Sequence, residues 1–387
     1  MRILHVGKYY APVKGGMETA LRHIAEGLLD LGVEVRVIVA GQAGRSTRED
    51  LGAAPGALVR AGVWGTWHSQ PLVARLPSLL AAELRTFRPD IVHLHLPNPL
   101  ACWAWRRAAP VAAHLGTRLA VWHHSDIVRQ RLGGRLVAPL VGRCLGDAAG
   151  ICVSSESLRE SARSLARWRD RVRVIPFGID PAPFLAATPA GDGPFLFVGR
   201  LVRYKGLDVL LEAMAGLPGA RLDIAGTGPR RAELAARIEG ADLRGRVRLL
   251  GEIPDSELPA MLAGGRALVL PSRDRSETFG LILLEAMAAG LPLVTSDLAT
   301  GVSEVNQPGE TGWVAAPGDP VDLRRALAAV LAEPGEARRR GCAGRALVLA
   351  RFTRDRMARD LVGWYGELRA GRMRGTVTVN PGSSDQA

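Results

Sequence analysis

The sequence predicts an α/β protein of two domains, each built on a parallel sheet with helices on both faces. A chain of 387 residues exceeds what one hydrophobic core usually serves, so two units are expected. Short apolar runs alternate with helix-like segments throughout, which is the pattern of parallel sheets covered by helices. A Pro-, Ala- and Gly-rich stretch over 176–194 separates two such series. The expected divisions are a domain over 1–180, a domain over 181–350, a helix over 351–370 and a disordered tail over 371–387.

The elements of the first series begin with RILHVG, whose alternation indicates a strand, and continue with a helix near 18–31. Its later strands are VEVRVIVA, DIVHLHL, RLAVWHH, AGICVS and RVRVIPFG. The second series has the strands FLFVGR, RLDIAG, VRLLG, ALVLPS and LPLVTS, with helices between them, and FTRDRMARDLVGWYGEL is a last amphipathic helix. Ligands of open parallel sheets bind at the carboxyl ends of strands, so a cleft between the two sheets is the expected site.

Composition fits a globular cytoplasmic protein. The sequence is 47% hydrophobic and 23% charged, and it lacks a run of roughly 18 uncharged apolar residues that would span a bilayer. MRILHVG is too short for the apolar core of a signal peptide and is better interpreted as a strand. The four cysteines are scattered, which suits a reducing compartment.

The net charge of +12 is concentrated in the first half of the chain. Residues 1–180 carry 24 Arg and Lys against 14 Asp and Glu, whereas the remainder carries 26 against 24. The first half also holds six of the eight Trp and all eight His. A basic surface with aromatic residues suggests an anionic partner, either lipid headgroups or nucleic acid, although a solvated Arg-rich face explains it equally well. Residues 64–87 are the candidate membrane-facing edge, in which Pro77 is expected to interrupt a helix.

One helical segment, SETFGLILLEAMAAGLP, carries two carboxylates in an apolar sequence. A helix that is apolar on every side is a buried helix, and Gly290 and Pro292 supply its stop. Glu285 is then a half-buried carboxylate that needs hydrogen bonds, and a vicinal ribose diol can donate two. Glu277 lies at the positive end of the helix, where free N–H groups suit phosphate or sugar oxygens. Alternatively, Glu277 only caps the helix and Glu285 pairs with an internal arginine.

The spacing Glu277-x7-Glu285 within ETFGLILLEAMAAGLPLV resembles the signature of retaining GT-B glycosyltransferases of family 4, and the resemblance covers roughly residues 1–368. It implies two facing Rossmann-like domains with parallel sheets, the first binding the acceptor and the second the donor, with the last helix returning to the first domain. It also implies that Glu277 contacts sugar hydroxyls, that Glu285 holds the ribose, and that the backbone after Glu277 contacts the donor's sugar and diphosphate. The residues of that backbone are Phe279, Gly280, Leu281 and Ile282.

Two cations of the second domain match the same family. Arg200 ends the strand FLFVGR and Lys205 opens the next helix. The resemblance assigns both to the leaving diphosphate, whose negative charge grows as the donor's glycosidic bond breaks. The alternative is a pair of solvated loop cations. The only three lysines, Lys8, Lys14 and Lys205, all fall in strand-to-helix loops that are expected to face one cleft.

Glycine-bearing loops supply further donor candidates. Gly16 in KYYAPVKGGMET precedes a helix, and glycine allows backbone N–H groups to approach a phosphate closely, although turns use glycine pairs as well. The resemblance places this loop at the diphosphate. It places Gly226 and Gly228, in AGTGPRRAEL, near the nucleobase, and it adds Ile253 to the donor-binding residues. Arg231 breaks the G-x-G-x-x-G pattern, which counts against a dinucleotide site.

Histidines of the first domain complete the candidate site. The segment AVWHHSDIVRQ ends a strand, and the resemblance implies that one of its histidines approaches the donor sugar. The family's HSD form favours His124 over His123. Two packed or surface histidines are the alternative.

The acceptor pocket is expected to include His95, Asp126 and Arg129. His93 and His95 share one face of a strand, which is the pattern of a metal pair, but no third ligand follows at a suitable spacing. We therefore expect no metal and no cofactor. The absence of an Asp-x-Asp sequence agrees with this, because Arg, Lys and helix N-termini can hold a diphosphate without a divalent ion.

The stretches HHSDIVRQ, RSETFGLILLEAM and VNQPGETGWVAAPGD most resemble bacterial O-antigen and lipid-linked mannosyl- or rhamnosyltransferases. This implies a metal-independent hexosyltransferase that uses a nucleotide diphosphate sugar, with a GDP-sugar favoured. The acceptor is expected to be a glycolipid or polysaccharide, and the enzyme is expected in the cytoplasm, in peripheral contact with the anionic inner membrane. No carboxylate presents itself as a nucleophile, which favours front-face transfer with retention.

Other classes remain open from the sequence. A UDP-hexose-dependent transferase would have the same fold, and a GT-B UDP-sugar epimerase would use Glu277 for acid–base chemistry at the sugar C2. A nicotinamide dehydrogenase is disfavoured by the broken glycine pattern. A basic nucleic-acid-binding protein would show steep salt dependence but would leave Glu277 and Glu285 unexplained, so no nucleic-acid partner is expected.

Overall fold

The computed structural model describes residues 1–51, 56–67, 70–126, 131–186, 189, 191–240 and 243–371. The chain forms two main β-sheets in succession, each with helices between its strands, which confirms the predicted α/β fold class. The predicted disordered tail lies, beyond Gly371, outside the described residues.

The first sheet is built from the strands of residues 2–174. Among the described residues its order is β10-β9-β8-β7-β1-β2-β4-β3, and β5 and β6 form a separate hairpin. Strand β7 is buried at every position because helices cover both faces of the sheet. The strands are β1 (Arg2–Val6), β2 (Glu34–Ala43), β3 (Thr47–Asp50), β4 (Gly56–Val63), β5 (Gly65–Trp67), β6 (Gln70–Leu72), β7 (Ile91–Leu96), β8 (Arg118–His123), β9 (Gly150–Val153) and β10 (Val172–Val174).

The helices of this half connect consecutive strands or precede the crossing to the second sheet. Asn98 caps the N-terminus of α3 by accepting from the Ala101 N–H, and Ser155 caps α5 in the same way through Leu158. The helices are α1 (Gly16–Asp30), α2 (Leu76–Phe87), α3 (Pro99–His114), α4 (Arg131–Asp147), α5 (Glu156–Ser161) and α6 (Ala182–Leu185).

The second sheet follows from residue 195 and is parallel in every described pairing. Its order in the described chain is β13-β12-β11-β14-β15-β16. The strands are β11 (Phe195–Val198), β12 (Leu222–Ala225), β13 (Val247–Gly251), β14 (Ala267–Leu270), β15 (Leu293–Ser296) and β16 (Gly312–Ala315). The helices are α7 (Leu207–Ala215), α8 (Arg231–Gly240), α9 (Leu258–Ala263), α10 (Leu281–Ala288), α11 (Gly301–Val305), α12 (Pro320–Ala332), α13 (Pro334–Arg351) and α14 (Arg354–Arg369).

The chain passes between the two sheets at adjacent points. Ile179, on the way to the second sheet, forms a parallel bridge with Thr353, on the way back. The last helix, α14, then packs against the first half: Arg354 contacts Glu26 of α1 at 2.8 Å, and the Tyr365 hydroxyl lies 2.5 Å from His93 Nδ1.

Two local features differ from the sequence prediction. Strand β3 pairs with β4 in the antiparallel direction, so the edge of the first sheet is not parallel. Pro77 does not interrupt a helix; it lies in the first turn of α2, where its missing N–H breaks no helical hydrogen bond. No helix within the described ranges is both long and apolar enough to cross a bilayer.

Candidate active site

A cleft of about 1450 Å³ lies between the carboxyl ends of the strands of the two sheets. The loops after β1 and β8 form one wall, and the loops after β11, β12, β13 and β14 form the other. The sequence candidates for catalysis and donor binding all lie in these walls. They are Gly16, His124, Arg200, Lys205, Gly226, Gly228, Ile253, Glu277, Phe279, Gly280, Leu281, Ile282 and Glu285.

A buried ion pair lies at the centre of the second wall. Lys205 Nζ donates to Glu277 Oε2 at 2.5 Å, and the Ser272 hydroxyl donates to the same oxygen at 3.1 Å. Lys205 is 8% exposed and Glu277 is 7% exposed. Burial alone would lower the pKa of Lys205, but the Glu277 carboxylate raises it overall, so the amine is held as a cation. Arg200, exposed in the same wall, adds a second positive charge.

The N-terminus of α10, whose N-cap lies three residues after Glu277, opens into the cleft. Gly280 is its N-cap with φ of 77°, a left-handed conformation that favours glycine, and no side chain caps the helix. The first N–H groups of a helix have no partner within it, and together with the helix dipole they form a site for an anion. The backbone of Leu281 and Ile282 is therefore available to oxygens of a ligand.

Glu285 faces the cleft from the second turn of the same helix. Burial first, and then the neighbouring Asp255 carboxylate, raise the pKa of Glu285 to about 7, while Arg22 acts in the opposite direction. No hydrogen-bond donor contacts the Glu285 carboxylate within the described part of the chain. The internal arginine pairing is therefore not observed there, and the carboxylate is free to accept hydrogen bonds from a ligand.

Two of the predicted glycines have a structural reason of their own. A Cβ at Gly226, where φ is 134°, would lie 2.0 Å from the Gly199 carbonyl oxygen. A Cβ at Gly228 would lie 2.5 Å from the Leu201 carbonyl oxygen. These glycines thus let the loops after β11 and β12 pack against each other. Gly16 is different, because nothing within 4 Å would obstruct its Cβ.

Charged residues of the loop after β1 and of α1 contact the loop after β13. Lys14 Nζ donates to the Ile253 carbonyl oxygen at 2.8 Å and lies 3.3 Å from carboxylate oxygens of both Glu252 and Asp255. Arg22 also contacts Asp255, at 3.2 Å. Burial alone would raise the pKa of Asp255, but the two cations lower it overall. Ile253 therefore lies in an acidic segment at one end of the cleft.

His124 is the predicted catalytic residue in the first wall of the cleft. Its ring packs against Trp122, with centroids 5.8 Å apart, and against Phe177, with centroids 5.6 Å apart, and these two rings also stack on each other. Its Nε2 lies 2.9 Å from His95 Nδ1 beneath the wall. Stacking and this hydrogen bond fix the plane of the ring at the cleft surface.

The structure does not place His95 and Asp126 in the cleft wall, contrary to the acceptor prediction. His95 is 4% exposed and lies between His5 and His124, so its ring is part of the interior. The Asp126 carboxylate accepts from the Ser164 hydroxyl at 2.5 Å and the Arg163 N–H at 2.8 Å, and its Oδ1 lies 3.2 Å from His123 Nε2. It anchors the segment after α5. Arg129, the third acceptor candidate, lies outside the described residues.

His93 and His95 acquire a neighbour that the sequence spacing did not reveal. His5 of β1 lies opposite His93 of β7, and one nitrogen from each of His5, His93 and His95 lies within 4.8 Å of the others. A tetrahedral metal needs the in-plane lone pairs of its ligands to converge about 2 Å from each nitrogen. The His93 and His95 rings instead stack with centroids 5.1 Å apart, and His5 Nδ1 already lies 3.0 Å from His95 Nε2. The arrangement fits hydrogen bonding better than metal binding.

Several residues of the cleft were missed by the sequence interpretation. Ser272 lies two residues after β14, buried behind the cleft wall beside Glu277, and its position near a strand end was a usable signal. Asp255 and Arg22 gave no signal, because they meet across 233 residues of sequence. Glu18, in the first turn of α1, lies near Lys8 and Arg200; burial raises its pKa, and these two cations partly offset that effect.

Comparisons with known proteins agree with this geometry. Residues 14–183 match the family described as Glycosyltransferase Family 4, and residues 186–346 match the family Glycosyl transferases group 1. The D-rhamnosyltransferase WbpZ of Pseudomonas aeruginosa is 31% identical over 363 residues, covering 88% of this chain and 89% of that protein. O-antigen chain mannosyltransferase C of Escherichia coli is 31% identical over 385 residues, covering 95% of this chain and 99% of that protein.

A solved structure shows the same fold. The sucrose-phosphate synthase of Thermosynechococcus elongatus superposes with a TM-score of 0.78 at 23% identity, covering 95% of this chain and 99% of that chain. The sequence motif around Glu277 and Glu285 predicted this fold, and the family matches span both sheets. The chain therefore belongs to the GT-B glycosyltransferases and is an enzyme of that class.

Proposed function

We propose that this enzyme transfers a mannosyl or rhamnosyl residue, with retention of configuration, from a GDP-sugar to a lipid-linked or polysaccharide acceptor. The relatives that match most of the chain are named as a D-rhamnosyltransferase and an O-antigen chain mannosyltransferase. Both names agree with a hexose or 6-deoxyhexose donor, and the second name also agrees with an acceptor of the O-antigen type.

The observation that carries the proposal is the buried Lys205–Glu277 pair beside the uncapped N-terminus of α10. A diphosphate placed there meets the Lys205 ammonium, the Arg200 guanidinium and the free backbone N–H groups. These groups stabilise the charge that develops on the diphosphate as the C1–O bond breaks, and they do so more strongly in the transition state than before it. The same positive field removes the need for a divalent cation.

The hydrogen bonds of Glu277 support a transfer that proceeds without a covalent enzyme intermediate. The Glu277 carboxylate already accepts from Lys205 and Ser272, so it positions sugar hydroxyls instead of attacking C1. We propose that the acceptor oxygen bonds to C1 on the face that the diphosphate leaves. The acceptor hydroxyl proton then passes to a leaving phosphate oxygen, and no enzyme nucleophile is required.

The acidic segment at Ile253 supports guanine as the base. Guanine presents adjacent N1–H and N2–H donors that one carboxylate can accept with its two oxygens, whereas uracil presents a single N–H between two carbonyl oxygens. Glu252 and Asp255 flank the Ile253 backbone, with exposed carboxylates. This favours GDP over UDP as the nucleotide.

Two other enzymes with the same fold would give different results in the experiment below. A UDP-hexose-dependent transferase would bind UDP in place of GDP. A UDP-sugar epimerase would invert C2 without an acceptor, and loss of Glu277 would stop that inversion. The family membership favours an enzyme over a basic nucleic-acid-binding protein.

The test is thermal unfolding of the protein with GDP, UDP, ADP and NAD, followed by NMR of the product from GDP-mannose and a polyprenyl-linked sugar. A ligand at 100 times its dissociation constant stabilises the protein by about 2.7 kcal/mol, which is a readily visible shift. We expect a shift with GDP alone and an α-configured product. A shift with UDP alone would overturn the donor assignment, and a β-configured product would overturn retention.

We further propose that the first half contacts anionic membrane through the tip formed by Trp64 and Leu72. Trp64 is 78% exposed and Leu72 is 46% exposed, and the Trp64 N–H donates to the Leu72 carbonyl at 3.0 Å, so the two are neighbours. The exposed Arg75 adds positive charge near this tip in the sequence. Aromatic residues with nearby cations suit the interface of an anionic bilayer.

Replacing Trp64 by Ala is expected to weaken binding to phosphatidylglycerol vesicles about tenfold, because one large apolar side chain no longer enters the interface. Vesicle co-sedimentation measures this. Leu349→Ala is the matched control, since Leu349 is 45% exposed in the other half of the chain. Equal losses in both variants, or no loss for Trp64→Ala, would contradict the proposed contact.

A further inference from the structure

Three imidazole rings form a hydrogen-bonded series that leads from the interior to the cleft. His5 Nδ1 lies 3.0 Å from His95 Nε2, and His95 Nδ1 lies 2.9 Å from His124 Nε2. His5 lies in β1, His95 lies in β7, and His124 directly follows β8; these three strands are adjacent in the first sheet. Each ring is at most 4% exposed. The geometry is therefore set by the register of the strands and not by a mobile loop.

Burial keeps all three rings neutral. It lowers the pKa of His5 and of His124 to about 3, and together with the neighbouring histidines it lowers the pKa of His95 well below its usual value. A neutral imidazole carries one N–H and one bare nitrogen. Each nitrogen–nitrogen contact thus has a single donor, and the two contacts must point in the same direction along the series.

Only two directions are possible. If donation runs inward, from His124 to His95 to His5, then His5 Nε2 must carry the remaining proton. If it runs outward, His5 Nε2 is bare. His5 Nε2 is buried and has no hydrogen-bond partner among the described residues. An orphaned buried N–H is the rarer and costlier arrangement, so the outward direction is favoured.

We infer that His5 and His95 are positioning residues that hold His124 as its Nδ1–H tautomer, with that N–H available to an oxygen acceptor in the cleft. His124 lines the cleft, and its Nε2 is committed to His95. On this assignment His124 donates a hydrogen bond to a donor-sugar oxygen and cannot take a proton from the acceptor hydroxyl at that nitrogen. The catalytic part of this inference depends on the proposed function, whereas the tautomer does not.

The tautomer is measurable in the whole protein without substrate. Ring ¹³C and ¹⁵N chemical shifts of histidine-labelled protein distinguish Nδ1–H from Nε2–H, and single His→Asn or His→Gln variants assign the signals. We expect the Nδ1–H tautomer at His5, His95 and His124, which is the less common form of free imidazole. An Nε2–H signal for His124 in the unmodified protein would overturn the inference.

A pair of variants tests the direction of the series. Asparagine can place an amide N–H near the position of His5 Nδ1, whereas leucine cannot, so His5→Asn should preserve the His124 tautomer and His5→Leu should release it. We expect His5→Leu to lower kcat about five- to tenfold with little change in the donor KM, the size of one misdirected hydrogen bond. His5→Asn should retain most of kcat.

The outcomes separate this inference from the proposed function. Equal kcat and equal His124 shifts in His5→Leu and His5→Asn would show that His5 does not direct the series. If His5→Leu does not fold, the shifts of the unmodified protein and of His5→Asn still decide the tautomer. An Nδ1–H signal at His124 in a protein that does not turn over GDP-sugars would sustain the tautomer and overturn the proposed function.

Discussion

Replacing Glu285 by Gln is expected to weaken GDP-mannose binding about 100-fold while making the free protein more stable at pH 8. The carboxylate accepts two ribose hydroxyls in the proposed complex, and hydrogen bonds to a charged acceptor contribute about 1.5–3 kcal/mol each. Glutamine has one acceptor oxygen and no charge, so most of this interaction disappears. The same substitution removes a carboxylate that has no hydrogen-bond donor within the described part of the unliganded protein.

The gain in stability follows from the raised pKa. The fold raises the Glu285 pKa from 4.5 to about 7, so the unfolded chain releases this proton first as the pH rises. The free energy of unfolding therefore falls between about pH 4.5 and 7, by about 3 kcal/mol in total, and glutamine avoids this loss. At pH 4.5 the two proteins should be nearly equal, and at pH 8 Glu285→Gln should be the more stable.

Urea unfolding at pH 4.5 and pH 8 and calorimetry with GDP-mannose measure both effects. GDP-mannose is preferable to GDP because its diphosphate is esterified at both ends and does not titrate near neutrality. Unmodified protein should also bind it about tenfold more weakly at pH 6 than at pH 8, because Glu285 must release its proton. Glu310→Gln, an exposed carboxylate outside the cleft wall, is the control. Undiminished affinity in Glu285→Gln would contradict the ribose assignment.

Replacing Lys205 by Met is expected to lower kcat by a factor on the order of 10³ and the free energy of unfolding by about 3 kcal/mol. The catalytic loss reflects the missing cation at the leaving diphosphate. The loss of stability has another origin, since Glu277 stays buried without its partner, and breaking one side of a buried ion pair is costly.

The double variant Lys205→Met/Glu277→Gln separates these two effects. It removes both charges, so we expect the stability to return to within about 1 kcal/mol of the original while kcat stays low. Lys14→Met, which removes an exposed lysine at the same cleft, should change the stability by less than about 1 kcal/mol. A Lys205→Met enzyme with kcat within tenfold of the original would exclude Lys205 from stabilising the leaving group.

The fold was predictable because the sequence shows the hydrophobic periodicity of its strands and helices and the order in which they alternate. Buried parallel strands such as ALVL are continuous apolar runs, and some of the helices, such as α3 and α5, carry their own N-caps. The antiparallel strand β3 was not predictable, since its sequence TRED is exposed at every position and carries no apolar periodicity. Pro77 was misread because proline at a helix start and proline within a helix look alike when the first residue of the helix is uncertain.

Some residues of the site were also predictable from the sequence, and others were not. Glu285 was visible because it is a carboxylate inside an apolar helix, where burial would otherwise be unfavourable. Glu277 and Lys205 were visible because they lie in the loops between a strand and the helix that follows it. The series from His5 to His124 was not visible, because it depends on which strands are neighbours and on their register, and His5 lies 90 residues from its partner. The same information placed His95 in the interior when the sequence alone suggested a cleft wall.

The short helix α10 has a further consequence for the catalytic cycle. Apart from the positions facing the cleft, α10 is almost wholly buried. The Glu285 carboxylate, proposed to bind the ribose, and the N-terminal N–H groups, proposed to bind the diphosphate, are therefore held rigidly beside Lys205. On the proposed function, the nucleoside diphosphate keeps its ribose and diphosphate contacts after the transferred hexose has left, because none of these contacts involves that hexose. We therefore expect this product to bind tightly and GDP to act as a competitive inhibitor against the donor.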